Sequence, residues 1–499
     1  MTTRPRSTDT QGSDRDQNGD ALLLGSLIVL PYASYVGLVG AVIVLVRWLT
    51  TYPQAIGHRL RRQGWIWLIL GLGLSIILAE APVQAALKST NFWPFFIFFA
   101  GLSVYLDRLP DPLANLGEWA FWLLMASIPI NLRAFIEYLP ALAIRVGAPL
   151  GLAEISPIRQ RVDSVFGNPN VLAAYLVIIF GLGLGLCLQA LPLAAETLAD
   201  PPASGLPPSR RFLGPLKPSR HRAQMRWIYG AMALIPLGVF CTGSRNGVLV
   251  LLIQLAIAVT LVRRHRWAMC SGLGLITMTI VGVFSAGFGG RSFAQTSTAS
   301  ILRLDIWELS LPLIQQHPWF GLGFGGTQAT YEPHTIPHHA TLHHVHNLWL
   351  HLAAEAGLPV MLLLTAIVGS ICYRAMQAYR LGQLPPQAEP MLVGYGLGFL
   401  ACILFAMSDI VLFDARVNLL GWLMLAALQA IPDGVSPVTL AQPSALLPPI
   451  DPMASSPSYP PCLPDLPTTY VAEAIPGPPS PGIVLMQGDD QPPKDDVIG

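Results

Sequence analysis

Charge is scarce in this sequence. Only 11% of its 499 residues are Asp, Glu, Lys or Arg, against about 25% in an ordinary soluble protein. So few ions cannot dress a water-facing surface of this size, which excludes a soluble globular protein and leaves an integral membrane protein. The net charge of +1 says nothing about nucleic acid, but no basic stretch alternates with aromatics, so no nucleic-acid partner is expected. Cysteine is sparse too. Of the six, Cys187, Cys241, Cys270, Cys372 and Cys402 lie in or beside apolar runs and Cys462 in a proline-rich tail, so they read as unpaired. A cleavage-site pattern after the first apolar run is also missing, which makes that run a retained span rather than a signal peptide.

Long apolar runs, by contrast, are abundant. A helix needs about 20 mostly apolar residues to cross a hydrocarbon core of about 30 Å. Runs that meet this test fall near 21–48, 64–81, 91–107, 116–136, 170–195, 227–242, 246–262, 268–286, 347–372, 391–408 and 414–431. The first carries Pro31 and Tyr32 at its middle and reads either as one tilted helix or as a tight pair. The fold class is therefore all-α: a polytopic integral membrane protein with 10–12 transmembrane helices, since closed helices satisfy their own backbone in lipid.

Lys and Arg set the orientation, because short basic loops stay cytoplasmic. The basic connections are His58 to Arg62, Arg210 to Arg226, Arg263 to Arg266 and Arg374 to Arg380. With these inside, 137–169, the turn Thr242 to Asn246 and the loop 287–346 face outward, as does a short connection carrying Asp409, Asp414 and Arg416. Three regions follow: a disordered amino terminus over 1–20, a transmembrane domain over 21–431, and a Pro-rich disordered cytoplasmic tail over 432–499, too poor in periodic apolar residues to bury a core.

Eight of the eleven histidines lie between His317 and His351. Such a run could bind zinc or copper, but H-E-x-x-H is absent, no cysteine is near, and the only acidic neighbours are Glu332 and Glu355, so no metal site is assigned. His346 stands apart, at the junction of loop and helix. An imidazole there could take a proton from an acceptor hydroxyl, or could simply lead a helix capped by Asn347.

Arg245 sits in Thr242-Gly243-Ser244-Arg245-Asn246, at the mouth of a helix pair. Arginine on the outer side runs against the usual bias, which points to an anionic partner rather than simple snorkelling. Arg303 repeats that logic, with Trp307 on the same helical face, in a stretch from Ile301 to Gln315 that reads as an amphipathic surface helix. Two such arginines could grip one phosphate group, because guanidinium forks bind phosphate oxygens in pairs. In the run Arg161 to Asn170, Asn168-Pro169 reads as a turn, Asn170 as a helix cap and Arg161 as a possible ligand contact. Gly321 to Gly326 formally matches G-x-G-x-x-G, yet no strand precedes it, so Trp319, Phe320 and the glycines read as an interfacial turn.

Taken together, F-G-N-P-N at Phe166, G-S-R-N-G at Gly243, R-x-x-x-W at Arg303, H-P-W-F-G-L-G at His317, H-N at His346 and E-x-G at Glu355 resemble the O-antigen ligase and polymerase superfamily, the Wzy and WaaL type membrane proteins. The resemblance covers roughly 160–430. It implies a membrane-embedded (GT-C type) fold and a metal-independent glycosyltransferase with no cofactor. Such an enzyme would take a glycan from an undecaprenyl diphosphate carrier to a glycan or lipid hydroxyl acceptor at the outer face of a bacterial inner membrane. By matching position, Arg245 and Arg303 would hold the diphosphate and His346 would act on the acceptor. Arg161, Asn168, Trp307, Trp319, Asn347 and Glu355 form the candidate substrate-contacting set. One departure is visible at Gly357-Leu358-Pro359-Val360, where similar sequences commonly end in glycine. A branch of the superfamily labelled as putative bicarbonate transporters supplies the alternative, a small-anion transporter of the same fold. A histidine-rich sensory membrane protein is a third reading, but it leaves Arg245 and Arg303 without a task.

Overall fold

Helices form where the apolar runs predict them, and prolines mark many of their starts. In a computed structural model of the chain, residues 10–146, 161–196, 218–262, 265–286, 293–330 and 344–434 are described. They build α1 (Thr10–Val29), α2 (Ser34–Thr51), α3 (Pro53–Arg62), α4 (Trp65–Ile77), α5 (Pro82–Ser89), α6 (Trp93–Leu106), α7 (Pro112–Val146), α8 (Pro169–Glu196) and α9 (Pro218–Cys241). Then follow α10 (Arg245–Leu261), α11 (Arg266–Ala286), α12 (Phe293–Gln316), α13 (Gly326–Thr330), α14 (Leu348–Ala356), α15 (Leu358–Arg380), α16 (Ala388–Ala406) and α17 (Ala415–Gly434), with a 3-10 turn at Val411–Phe413. Proline opens α3, α5, α7, α8 and α9, at the position where its missing N–H costs nothing. Among the described residues there is no strand.

Among the described residues eight spans are long and apolar enough to cross a membrane, one of them made of α5 and α6 together, and Gly19–Val29, Trp65–Ile77 and Arg245–Leu261 are shorter apolar helices. The chain is an all-α polytopic membrane protein, with eight such spans against the expected 10–12. The five cysteines that are described are free thiols.

The innermost helix is α8, whose span Pro169–Leu191 is 89% buried, as an all-round apolar helix should be. Its closest neighbour is α16, and glycines make that approach possible. A Cβ added at Gly181 would stand 2.4 Å from the Gly398 amide nitrogen, and one at Gly185 would stand 2.7 Å from Gly394 Cα. Where lipid removes the hydrophobic drive between helices, such backbone contact through small residues supplies the packing energy. This crossing brings the start of α8 beside the end of α16.

Two expected spans resolve differently from a single helix. The 21–48 run is the tight pair: α1 and α2 are joined through Pro31, and α2 returns along α1, so that a Cβ at Gly19 would lie 3.8 Å from the Arg47 guanidinium. The first of this pair begins at Thr10, inside the stretch expected to be disordered. The 347–372 run was expected as one span and is instead α14 and α15, broken at Gly357 with φ 88°. The reason is Pro359. In a continuous helix it would have to donate to the Glu355 carbonyl, and it has no N–H. Outside the described residues lie most of the tail, from residue 435, and His334, His338, His339 and His343.

Candidate functional site

A single carboxylate organises the residues picked out in the sequence, and it was not among them. Asp409 lies in the eight-residue connection between α16 and α17 and is 7% exposed. Its Oδ1 accepts from its neighbour's amide, Ile410 N, at 2.9 Å and meets His346 Nδ1 at 3.2 Å. Its Oδ2 accepts from Asn170 Nδ2 at 2.7 Å, with Arg303 Nη2 3.7 Å away. Three stretches far apart in the chain therefore meet on a carboxylate that belongs to a fourth.

His346 is held in an unusual backbone state, with φ 56°. That left-handed conformation costs a non-glycine residue about 1–3 kcal/mol and persists only where its surroundings enforce it. Both flanks do so here. On one side the Trp307 indole N–H donates to the Val345 carbonyl at 3.1 Å, and Ile306 and Val345 form a small buried cluster. On the other side Asn347 Nδ2 donates to the Met407 carbonyl at 2.9 Å, while its Oδ1 caps α14 by accepting from Trp349 N and Leu350 N. Trp307 and Asn347 thus work on the backbone around His346. The amphipathic helix expected over Ile301 to Gln315 lies within the longer α12, with Ile306 buried and Leu304 and Leu311 exposed.

The segment before α8 supplies a second wall. Asn168, exposed, accepts from Asn170 N at 2.8 Å, so Asn168 is the cap that the sequence reading had assigned to Asn170. Freed from that task, the Asn170 side chain bridges Arg161 Nη2 and Asp409. Arg161 Nε also donates to the Thr242 carbonyl at 3.1 Å. Arg416 fastens this segment to the same connection: it donates to the Val165 and Phe166 carbonyls at 3.1 and 2.8 Å, lies over the Phe166 ring, and pairs with Asp414. Arg245 is the first residue of α10, capped by Ser244, and is half-buried. Its neighbour Asn246 donates to the Ser408 hydroxyl, which sets the Arg245 backbone one residue from the Asp409 connection.

Glu355 and Trp319 occupy a different place. The glycine run that imitates a nucleotide motif is a turn over the end of α14: Leu322 N and Gly323 N donate to the Ala354 and Glu355 carbonyls, each at 2.9 Å. These bonds satisfy carbonyls that a helix end leaves orphaned. Gly321 and Gly357 both have positive φ, and a Cβ at Gly357 would sit 2.3 Å from the Trp319 carbonyl oxygen. The Glu355 side chain is buried, accepting from the Thr327 hydroxyl and facing His351 Nε2 at 3.1 Å. The Trp319 ring is exposed. Neither side chain joins the Asp409 cluster among the contacts of the described residues. Close by, an almost wholly apolar cavity of about 240 Å³ runs from Leu348, Ala406 and Phe413 down to Val368 and Leu425, between α14, α15, α16 and α17.

Burial by itself pushes the Asp409 carboxyl up. The hydrogen bond to His346 and the charges of His346, Arg303 and His344 outweigh it and hold the group at about 2, so it is an anion at any working pH. A carboxylate can only accept, which requires the proton of a neutral His346 to sit on Nδ1 and leaves Nε2 with a free lone pair. The arrangement is thus a base aimed by an acid, beside guanidinium groups. The ligand atoms of His344, His346 and Asp409 also lie within 4.8 Å of one another, close enough to seat a transition metal. Against this stands Arg303, whose positive charge beside Asp409 opposes a second cation.

Asp409 and Asn170 were missed because each is one polar residue in a turn that already had a local explanation. Residues 230–365 match the family model described as O-Antigen ligase. The match holds Arg245, Arg303, Trp307, Trp319, His346, Asn347 and Glu355, and leaves Arg161, Asn168, Asn170 and Asp409 outside. No curated protein matches the chain. The stretch that carries both candidate arginines and the candidate base is therefore the part of the chain that is similar to O-antigen ligases.

Proposed function

We propose that the protein is a glycosyltransferase that moves a glycan from an undecaprenyl diphosphate carrier to a hydroxyl acceptor, at the outer face of a bacterial inner membrane. The observation that carries this reading is the His346–Asp409 pair, set among arginines at the head of an apolar cavity. His346 Nε2 takes the proton of the acceptor hydroxyl as its oxygen attacks the anomeric carbon. The bond from that carbon to the diphosphate breaks, with inversion, and Arg245 and Arg303 hold the departing charge. The cavity suits the hydrocarbon chain of a lipid substrate, because its walls offer that chain what the bilayer would. Anion transport has less support: the charged groups of the two cavities lie towards the ends of the helices, whereas transport sites lie near mid-membrane.

The test is transfer by purified protein in lipid nanodiscs, read as release of free undecaprenyl diphosphate together with glycosylated acceptor. Wild-type protein turns over. Arg245→Ala is expected to fall by about ten- to a hundred-fold, the size of one charge-assisted contact. Wild-type protein that releases no diphosphate, or an unimpaired Arg245 variant, refutes the reading.

A smaller effect is expected one step from the chemistry. Trp307→Phe keeps the ring but removes the donor to the Val345 carbonyl, a loss of about 1 kcal/mol. Turnover should drop several-fold at unchanged KM for the carrier, while the thermal midpoint moves little. The Trp349 indole N–H donates to the Thr365 hydroxyl at 3.2 Å, away from His346, and an equal drop in Trp307→Phe and Trp349→Phe would show that the Val345 bond has no special role.

A further inference from the structure

A second cavity, of about 1120 Å³, opens at the opposite end of α15 and α17, roughly 27 Å from Asp409 along α17 at the helical rise per residue. Nothing in the transfer reading uses it. Its polar lining includes Arg59 and Arg62 from the last turn of α3, Arg374 from α15, and Gln429 and Asp433 from α17. Arg59 is committed to Asp107 in an ion pair. Arg62 and Arg374 make no ion pair or hydrogen bond at contact distance among the described residues, both are exposed, and the acidic group whose charge they feel is Asp433.

Below this rim the chemistry changes. Gln429 is 4% exposed, and its Oε1 has no hydrogen-bond partner among the described residues. A buried acceptor left unpaired costs about 1–3 kcal/mol, so it marks a place where a donor belongs. Ile367, Ile371 and Leu384, all buried, complete the wall. The occupant must therefore bring an anion for two guanidiniums, a hydroxyl donor for the amide, and an apolar stem. Asp433 on the same rim repels a second phosphate, which disfavours nucleoside di- and triphosphates.

We propose that this recess binds the headgroup of an anionic glycerophospholipid, a single phosphodiester bearing hydroxyl groups, as in phosphatidylglycerol. Arg62 and Arg374 clasp the phosphate, Gln429 Oε1 accepts from a headgroup hydroxyl, and the aliphatic wall receives the start of the acyl chains. Basic recesses among transmembrane helices are well suited to such headgroups. The site is independent of the transfer chemistry at Asp409.

The test uses the full chain in detergent micelles, with retention of added lipid read by native mass spectrometry. Phosphatidylglycerol is compared with phosphatidylcholine, and inorganic phosphate and soluble glycerophosphoglycerol serve as competitors. Wild-type protein retains phosphatidylglycerol preferentially. The Arg62→Gln/Arg374→Gln double variant loses that retention at least ten-fold, with an unchanged thermal midpoint in lipid-free micelles, and Arg62→Gln alone shows a partial loss. Equal retention by wild type and Arg62→Gln overturns the proposal, as does displacement of the lipid by inorganic phosphate or soluble headgroup at equal concentration, which would make the site one for a free anion.

Discussion

On the proposed mechanism Asp409→Asn should slow glycan transfer by about 10³- to 10⁴-fold, the loss expected when the carboxylate that fixes a catalytic imidazole is replaced by an amide. The substitution is nearly isosteric, so the expected cause is the proton rather than the shape. Asparagine can turn its NH₂ toward His346 Nδ1, now 3.2 Å from the carboxylate, and so drive the imidazole proton onto Nε2. The nitrogen that should accept the acceptor's proton then carries one already. Because both residues act as one unit, His346→Ala and the double variant should be about as slow as Asp409→Asn, with no further loss on combination. The effect should fall on kcat, with KM for the carrier within a few-fold. Asn170→Ala supplies the control, since it removes another Asp409 contact without touching the tautomer, and should cost far less. An Asp409→Asn enzyme within ten-fold of wild type, or one whose defect Asn170→Ala reproduces, would remove Asp409 from the proton path.

The second large effect lies deep in the bundle. Gly181→Leu is expected to destabilise the protein by more than about 4 kcal/mol, at the far end of what single substitutions do. Even a methyl group there would fall 2.4 Å from a backbone nitrogen of α16, and backbone cannot swing aside as a side chain can. The two helices must separate, which opens voids along the most buried of the described spans. The damage should reach the candidate site, because the head of α8 carries Asn170 and the end of α16 leads into Asp409. Gly181→Ala should be intermediate. Thermal midpoint and the monodisperse fraction on size exclusion decide the matter, and a leucine variant that melts like wild type would show that the crossing tolerates expansion.

Most of the helices could be read from the sequence, because span length and apolarity are local and the bilayer fixes both. The break at Gly357 was harder, since Leu348 to Cys372 is apolar on both sides of it and only Pro359, four residues beyond Glu355, reveals that one carbonyl lacks a donor. Of the candidate site, the cations and the proposed base were legible: Arg245, Arg303 and His346 are conspicuous where they stand. Its anion was not. Asp409 meets Asn170 across 239 positions and His346 across 63, and no periodicity links them. Asn170 was hidden by a plausible capping role that Asn168 in fact fills. The histidine run drew attention for its number, but geometry gives His346 its place, through a strained backbone gripped from both sides.

That grip bears on how such proteins can be rebuilt. The matched domain ends at residue 365, yet the carboxylate opposite His346 and the Met407 carbonyl that holds Asn347 both come later. A chimera that exchanges only the matched stretch between relatives would deliver the proposed base and its cations into a host that must supply the carboxylate opposite them. The natural unit of exchange therefore runs from Arg161 through the start of α17, and recombination boundaries drawn inside it should yield proteins that insert but do not turn over.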